Sequence, residues 1–164
     1  MKTVAFDIDD LLVNTSPRKE TYFKELEEAQ QPGLIREKYN RGDYLDLDTA
    51  LPYAVATVEL FENLGWNIVY ITGRRVSALP KSIQILSDMG FPIKEENMFF
   101  RPMGEYETPQ HKRESFLKLI NQGYDIQYFF DDKEENLQVA REVGIPAVYN
   151  SVEPFFFEAI HWEI

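Results

Sequence analysis

The chain has 164 residues, 17 basic against 28 acidic, a net charge of −11 and no cysteine. This length suits one folded unit with a core of ordinary size. The acidic balance argues against chain-wide attraction to nucleic acid or to an anionic membrane, although a local basic patch is compatible with it. The lack of cysteine removes disulfides and thiolate metal ligands.

The chain opens on strand-like sequence, without a charged-then-apolar leader. No apolar stretch approaches the ~20 residues that a membrane helix requires, so a cytoplasmic protein without membrane association is expected. The first strand, near residues 3 to 8, runs through Val4-Ala5-Phe6 into Asp7-Ile8-Asp9-Asp10. Residues 14 to 48 then break the pattern with many charges, Pro32-Gly33 and Arg41-Gly42-Asp43, and are expected to form a small insertion capping the site. Within it, 18 to 29 can form an amphipathic helix through Tyr22, Phe23 and Leu26, with a solvated surface helix as the other reading. A helix with Leu51, Ala54, Val55, Val58, Phe61 and Leu64 on one face stops at Gly65. The second strand, near 66 to 72, carries Ile68-Val69-Tyr70-Ile71 into Thr72-Gly73-Arg74.

Ser77 is expected to cap the next helix, which presents Ile83, Leu86 and Met89 before Gly90 and Pro92. A strand near 97 to 101 precedes a helix with Phe116, Leu119 and Ile120, ended by Gly123. The strand near 126 to 131 runs through Tyr128-Phe129-Phe130 into Asp131-Asp132. Leu137, Ala140 and Val143 mark a further helix before Gly144, and a last strand is expected near 145 to 149. The tail, with Phe155-Phe156-Phe157 and Trp162, is expected to pack across an edge of the sheet, or else to form a homodimer interface.

Strands alternating with helices predict an α/β fold: a Rossmann-like parallel sheet with helices on both faces, in a single domain over 1 to 164. Parallel strands would carry Asp7, Asp9, Thr72 and Asp131 to one edge of the sheet, where such sheets place their ligand sites. Carboxylates and a hydroxyl gathered there suit magnesium-dependent phosphoryl transfer.

Four motifs in order give the chain its resemblance to the haloacid dehalogenase superfamily of phosphohydrolases, over nearly its whole length. They are Asp7-Ile8-Asp9-Asp10, Ile71-Thr72-Gly73-Arg74, a lysine best assigned to Lys112 with Lys118 as the fallback, and Asp131-Asp132 with Asn136 on the following turn. The resemblance implies that Asp7 is the nucleophile, forming an aspartyl-phosphate, and that Asp9 is the general acid and base. It implies Mg2+ held by Asp7, the main-chain carbonyl of Asp9 and Asp131. Thr72, the amide of Gly73 and Lys112 would bind the phosphoryl group. Asp132 and Asn136 would support the metal site from behind, and Arg74 or Arg75 would contact substrate.

His111 and His161 lack partners at metal-ligand spacing and receive no role. The family usually carries Thr or Ser four residues after the nucleophile; Leu11 stands here instead, removing a hydroxyl that would support the loop.

The stretch from Met98 to Lys112, followed by Phe130-Asp131-Asp132, is similar to the phosphatase domain of polynucleotide kinase-phosphatases and to small nucleotidase-like members. A small phosphorylated substrate, such as a nucleotide, is the first expectation. The alternative is a polynucleotide 3′-phosphatase acting on a nucleic-acid end, with Arg74, Arg75, Lys112 and Arg113 as a local basic track. A catalytically weak phospho-ligand or protein-binding module is the reading from another class.

Overall fold

A computed structural model describes residues 1 to 104 and 106 to 161. Its strands are β1 (Lys2–Phe6), β2 (Val13–Asn14), β3 (Thr49–Ala50), β4 (Asn67–Arg75), β5 (Met98–Arg101), β6 (Asp125–Phe130) and β7 (Ala147–Tyr149). The helices are α1 (Ser16–Glu28), α2 (Pro32–Arg41), α3 (Ala54–Asn63), α4 (Leu79–Met89), α5 (Thr108–Asn121), α6 (Glu134–Glu142) and α7 (Glu153–Ala159). Five strands form a parallel sheet in the order β5-β4-β1-β6-β7, while β2 and β3 pair as a separate antiparallel ribbon.

Residues of β1 divide between two cores by the alternation of a strand. Val4 and Phe6 face one cluster with Val58, Phe61 and Leu86, whereas Ala5 faces the other with Phe116, Phe129 and Leu137. Helices thus cover both faces, which is why the central strands read as continuous apolar runs. The expected helical stripes before and after the second strand and after Phe130 lie in these clusters.

Several local expectations are corrected. The second strand extends through Arg75, so Thr72, Gly73 and Arg74 lie within it and not beyond it. Ser77 lies in a short 3-10 turn before α4, and its hydroxyl donates to the Asn40 carbonyl at 2.8 Å instead of capping the helix.

The insertion holds two helices. Pro32 and Gly33 open the second, because proline lacks only an N–H that the first turn of a helix leaves unused. On α1 the apolar stripe does not reach the core: Phe23 is 60% exposed, and Arg18 is the buried residue of that helix. The β2–β3 ribbon closes the base of the insertion. Phe155 is not an edge residue but lies in the core against Phe61 and Phe130. Phe156 and Phe157 flank Tyr53, and Trp162 lies outside the described residues.

Candidate active site

The register of the sheet builds the site. Phe6 pairs with Phe130 on one side and Tyr70 on the other, so Asp7 and Asp131 leave neighbouring strands on the same rung. The Asp7 amide donates to the Phe130 carbonyl at 2.8 Å, and the Asp131 amide to the Tyr149 carbonyl at 3.1 Å. Thr72 lies two residues beyond Tyr70 on the other flank of β1.

Lys112 reaches this edge from the first turns of α5. Its Nζ lies 2.8 Å from Asp7 Oδ1 and 2.5 Å from Asp131 Oδ2, with the lysine side chain 1% exposed. An unpaired ammonium would be too costly at that depth; two carboxylates offset its desolvation. Lys112, and not the fallback Lys118, therefore occupies the site.

The N-terminal end of α5 is fitted closely to β4. A Cβ on Gly73 would lie 2.8 Å from Thr108 Oγ1, so the missing side chain lets the start of the lysine-bearing helix approach the strand. His111, on the same helix, is buried with Nε2 3.0 Å from the Phe99 carbonyl, a structural contact in keeping with its lack of an assigned role.

The loop after β1 is tight. The amides of Leu11 and Leu12 donate to the Ile8 carbonyl, and Asp10 adopts a left-handed backbone at φ 60°. Asp10 Oδ1 accepts from the Thr15 hydroxyl at 2.6 Å and from the Thr15 amide at 3.3 Å. Leu11 turns into the core, 1% exposed. The hydroxyl that supports this loop thus comes from Thr15, which follows the loop instead of lying within it.

Asp7, Asp131 and Asp132 each offer a carboxylate oxygen within 4.8 Å of the others. Asp132 Oδ1 and Asn136 Oδ1 are buried without a hydrogen-bond partner among the described residues. Unsatisfied buried oxygens beside a carboxylate cluster suit a hard cation that favours oxygen ligands. Asp132 accordingly stands in the carboxylate group itself, ahead of the supporting position expected for it. Asp7, Asp132 and Asn136 border a cavity of about 230 Å³ that also touches Asp9, Gly73, Thr108 and Lys112, while Asp131 lies buried behind it.

Asp9 lies in a closed ring of charges that sequence reasoning missed. Its Oδ1 accepts from Arg18 Nη2 at 2.8 Å and from Arg74 Nε and Nη2 at 3.1 and 2.7 Å. The ring closes through Asp48, which meets Arg18 Nε at 2.9 Å and Arg74 Nη2 at 3.3 Å. Arg74 also donates to Ser82 at 2.8 Å. Two members, Arg18 and Asp48, come from the insertion and lie 30 residues apart in sequence, so no local spacing could have paired them.

Burial raises Asp7, with Lys112 opposing and Asp131 adding to the rise, and its carboxyl is pushed up to about 8. Burial would raise Asp9 as well, but Arg74 and Arg18 outweigh it and hold that carboxyl at about 2. The two carboxylates of one motif are thus driven in opposite directions by their neighbours.

The expected basic track is not assembled. Lys112 and Arg74 are buried among carboxylates, and Arg113 is ion-paired with Glu142. Of the four residues expected in it, only Arg75 has no carboxylate partner among the described residues.

A parallel sheet that gathers this aspartate cluster, a Thr-Gly pair and a helix-borne lysine at one edge has the arrangement expected of haloacid dehalogenase-type phosphatases. The model of the haloacid dehalogenase superfamily, subfamily IIIB (acid phosphatase), matches residues 1–151, and the chain belongs to that family. A Bacillus cereus protein provisionally named as a nucleotidase is 32% identical over 87 residues, covering 53% of this chain and 41% of its own length. A chain of the Pnkp1/Rnl/Hen1 RNA repair complex superposes with a TM-score of 0.65 at 18% identity, covering 92% of this chain and 42% of that one. The class C acid phosphatase of Bacillus anthracis gives a TM-score of 0.61 at 20% identity, covering 87% of this chain and 61% of its own. The chain thus spans under half the length of the first two, and the two structures share its fold. Among the described residues no helix is long and apolar enough to cross a membrane.

Proposed function

We propose that the protein is a magnesium-dependent phosphatase that hydrolyses a phosphate monoester, a nucleotide or similar small phosphometabolite, through an aspartyl-phosphate on Asp7. The observation that carries this reading is Lys112 held between Asp7 and Asp131, beside an open cavity at the carboxyl edge of the sheet. Asp7, Asp131 and Asp132 would hold Mg2+, which when bound supplies positive charge against the phosphoryl oxygens.

An Asp7 carboxylate oxygen attacks phosphorus while the ester oxygen departs; Lys112 orients the nucleophile and opposes the rise of its carboxyl, and a bound cation would complete its ionisation. Gly73 borders the cavity from β4, and its amide and the hydroxyl of the buried Thr72 beside it would be the donors to the phosphoryl oxygens. Water then attacks the aspartyl-phosphate, and inorganic phosphate leaves with Asp7 regenerated. Asp9, anionic in its arginine ring, accepts the proton of that water. To protonate the leaving oxygen it must first gain a proton. A substrate anion that draws Arg18 or Arg74 away removes the cations that hold its carboxyl low.

The test is hydrolysis of an aryl phosphate and a nucleotide panel, with magnesium and with chelator, by wild type and Asp7→Asn. Metal-dependent phosphate release that disappears in the folded variant supports the reading. Metal binding without turnover by wild type would favour a binding module.

The second reading, a phosphatase of nucleic-acid 3′ ends, draws support from the fold shared with the RNA repair chain. Turnover on a 3′-phosphorylated oligonucleotide that falls steeply with salt would favour it.

A further inference from the structure

A second cavity, of about 140 Å³, adjoins the first and shares Asp9, Tyr39 and Gly73 with it. Its lining includes Arg75 and Arg101, which are in-register partners on β4 and β5. Like charges opposed across a ladder repel. Burial and Arg75 both disfavour the charged form of Arg101. The chain carries 28 acidic residues, yet neither arginine has a carboxylate partner among the described residues. This sets the pair apart from Arg18 and Arg74, whose charges are neutralised in the ring.

Arg101 is already fixed in position. Its Nε donates to the Gly73 carbonyl at 3.0 Å and its Nη1 to the Tyr106 carbonyl at 2.7 Å, which leaves Nη2 without a described partner. The Arg75 side chain has no hydrogen bond among the described residues, which leaves its guanidinium fork available. Two guanidiniums together suit an oxyanion that each can grip with more than one N–H. The cavity has the volume of roughly five waters at about 30 Å³ each, room for a phosphate group but not for a nucleoside.

We infer that Arg75 and Arg101 form a subsite for a second phosphate of the substrate, so that the preferred substrate is a nucleotide carrying another phosphate beside the one removed. This rests on the phosphatase reading above and narrows its substrate class. The second phosphate can come from a mononucleoside bisphosphate or from the internucleotide phosphate of an oligonucleotide end, because the shared walls place both cavities within reach of one short ligand.

The experiment compares wild type, Arg75→Gln and Arg75→Lys on four probes: an aryl phosphate, a nucleoside 3′-monophosphate, a nucleoside 3′,5′-bisphosphate and a 3′-phosphorylated dinucleotide. Wild type is expected to favour one or both doubly charged probes over the monophosphate by about tenfold in kcat/KM, an ordinary yield for one charge-assisted contact. Arg75→Gln should erase that preference through KM, leave the aryl phosphate unchanged, and be partly rescued by Arg75→Lys. The probe that loses most identifies the source of the phosphate.

Equal use of all nucleotides by wild type, or a loss in Arg75→Gln that falls equally on the aryl phosphate, would overturn the subsite. Failure of wild type to hydrolyse even the aryl phosphate would instead count against the phosphatase reading. In that event calorimetric binding of the bisphosphate to Asp7→Asn decides: weakening by Arg75→Gln supports the subsite, and absent or unchanged binding refutes it.

Discussion

Arg74 grips Asp9 Oδ1 with two nitrogens, Nε at 3.1 Å and Nη2 at 2.7 Å, across 65 residues of sequence. The contact joins the first strand to the fourth at the mouth of the cavity, and Arg18 brings the insertion into the same carboxylate. It sets the ionisation of Asp9 and ties the insertion to the sheet. The ring of Asp9, Arg18, Asp48 and Arg74 is therefore expected to matter for both stability and activity.

Arg74→Ala removes one cation from the ring and leaves Asp9 and Asp48 each with Arg18 alone. Breaking a buried charge network in this way costs about 3–5 kcal/mol. Urea unfolding at neutral pH measures the loss; a change under about 1 kcal/mol would show that the ring is no more than a surface pair.

The same ring predicts an acid limb of stability. A carboxyl held at about 2 in the folded protein, against the ordinary 3.8, contributes stability above the ordinary value and loses it as pH falls from about 4 to about 2. The contribution is at most about 2 kcal/mol, and solvent at the 30% exposed Asp9 side chain reduces it. Unfolding free energies of wild type and Asp9→Asn should converge across this window, and parallel curves would contradict the shift.

Asp7 gives the opposite sign. With its carboxyl raised to about 8, the metal-free protein binds a proton there that the unfolded chain, with an ordinary value of 3.8, has already released. The raised carboxyl costs nothing below about 4, and its cost grows as pH rises from about 4 to about 8. Holding Mg2+ requires the ionised form, so binding should release close to one proton near pH 7 and almost none above pH 9. Calorimetry in two buffers of different ionisation enthalpy counts the proton, and Asp7→Asn should abolish its release.

Lys112→Met should abolish turnover and leave Asp7 and Asp131 as neighbouring buried carboxylates without their shared cation. Loss of one partner from such a cluster costs about 3–5 kcal/mol, and the variant should regain part of it in magnesium. Thermal unfolding with magnesium and with chelator reads both effects. A variant as stable as wild type without metal would mean that Lys112 does not compensate these charges.

Gly73→Ala drives a methyl group into Thr108, with Oγ1 at 2.8 Å and Cγ2 at 3.0 Å. Overpacking of this kind costs about 1–3 kcal/mol and should displace the start of α5, lowering kcat through Lys112. Adding Thr108→Ala removes both clashing atoms and should restore stability and rate. Failure of the second change to restore either would place the fault in the backbone of β4 and not in the helix contact.

Most of this protein was legible one strand at a time. The apolar runs of β1, β4 and β6 and the helical stripes between them determined the parallel sheet, because a strand buried on both faces and a helix lying on it each leave a period in the sequence. Asp7, Thr72, Lys112 and Asp131 could be named because they follow such runs, or lie on such a helix, within recognisable motifs.

The tertiary structure decided what has no period. Arg18 was hidden on a helix whose Tyr22, Phe23 and Leu26 promised an apolar face, yet the arginine is the residue that α1 buries. Asp48 and Arg74 lie 26 residues apart and meet only because the insertion folds back over β4. Asp132 moved into the carboxylate cluster, and the Arg75 and Arg101 pair exists only through the register of β4 with β5. Charge pairing depends on distance in space, and along a chain that distance is set by strand order and loop return, which no stretch of sequence reports by itself.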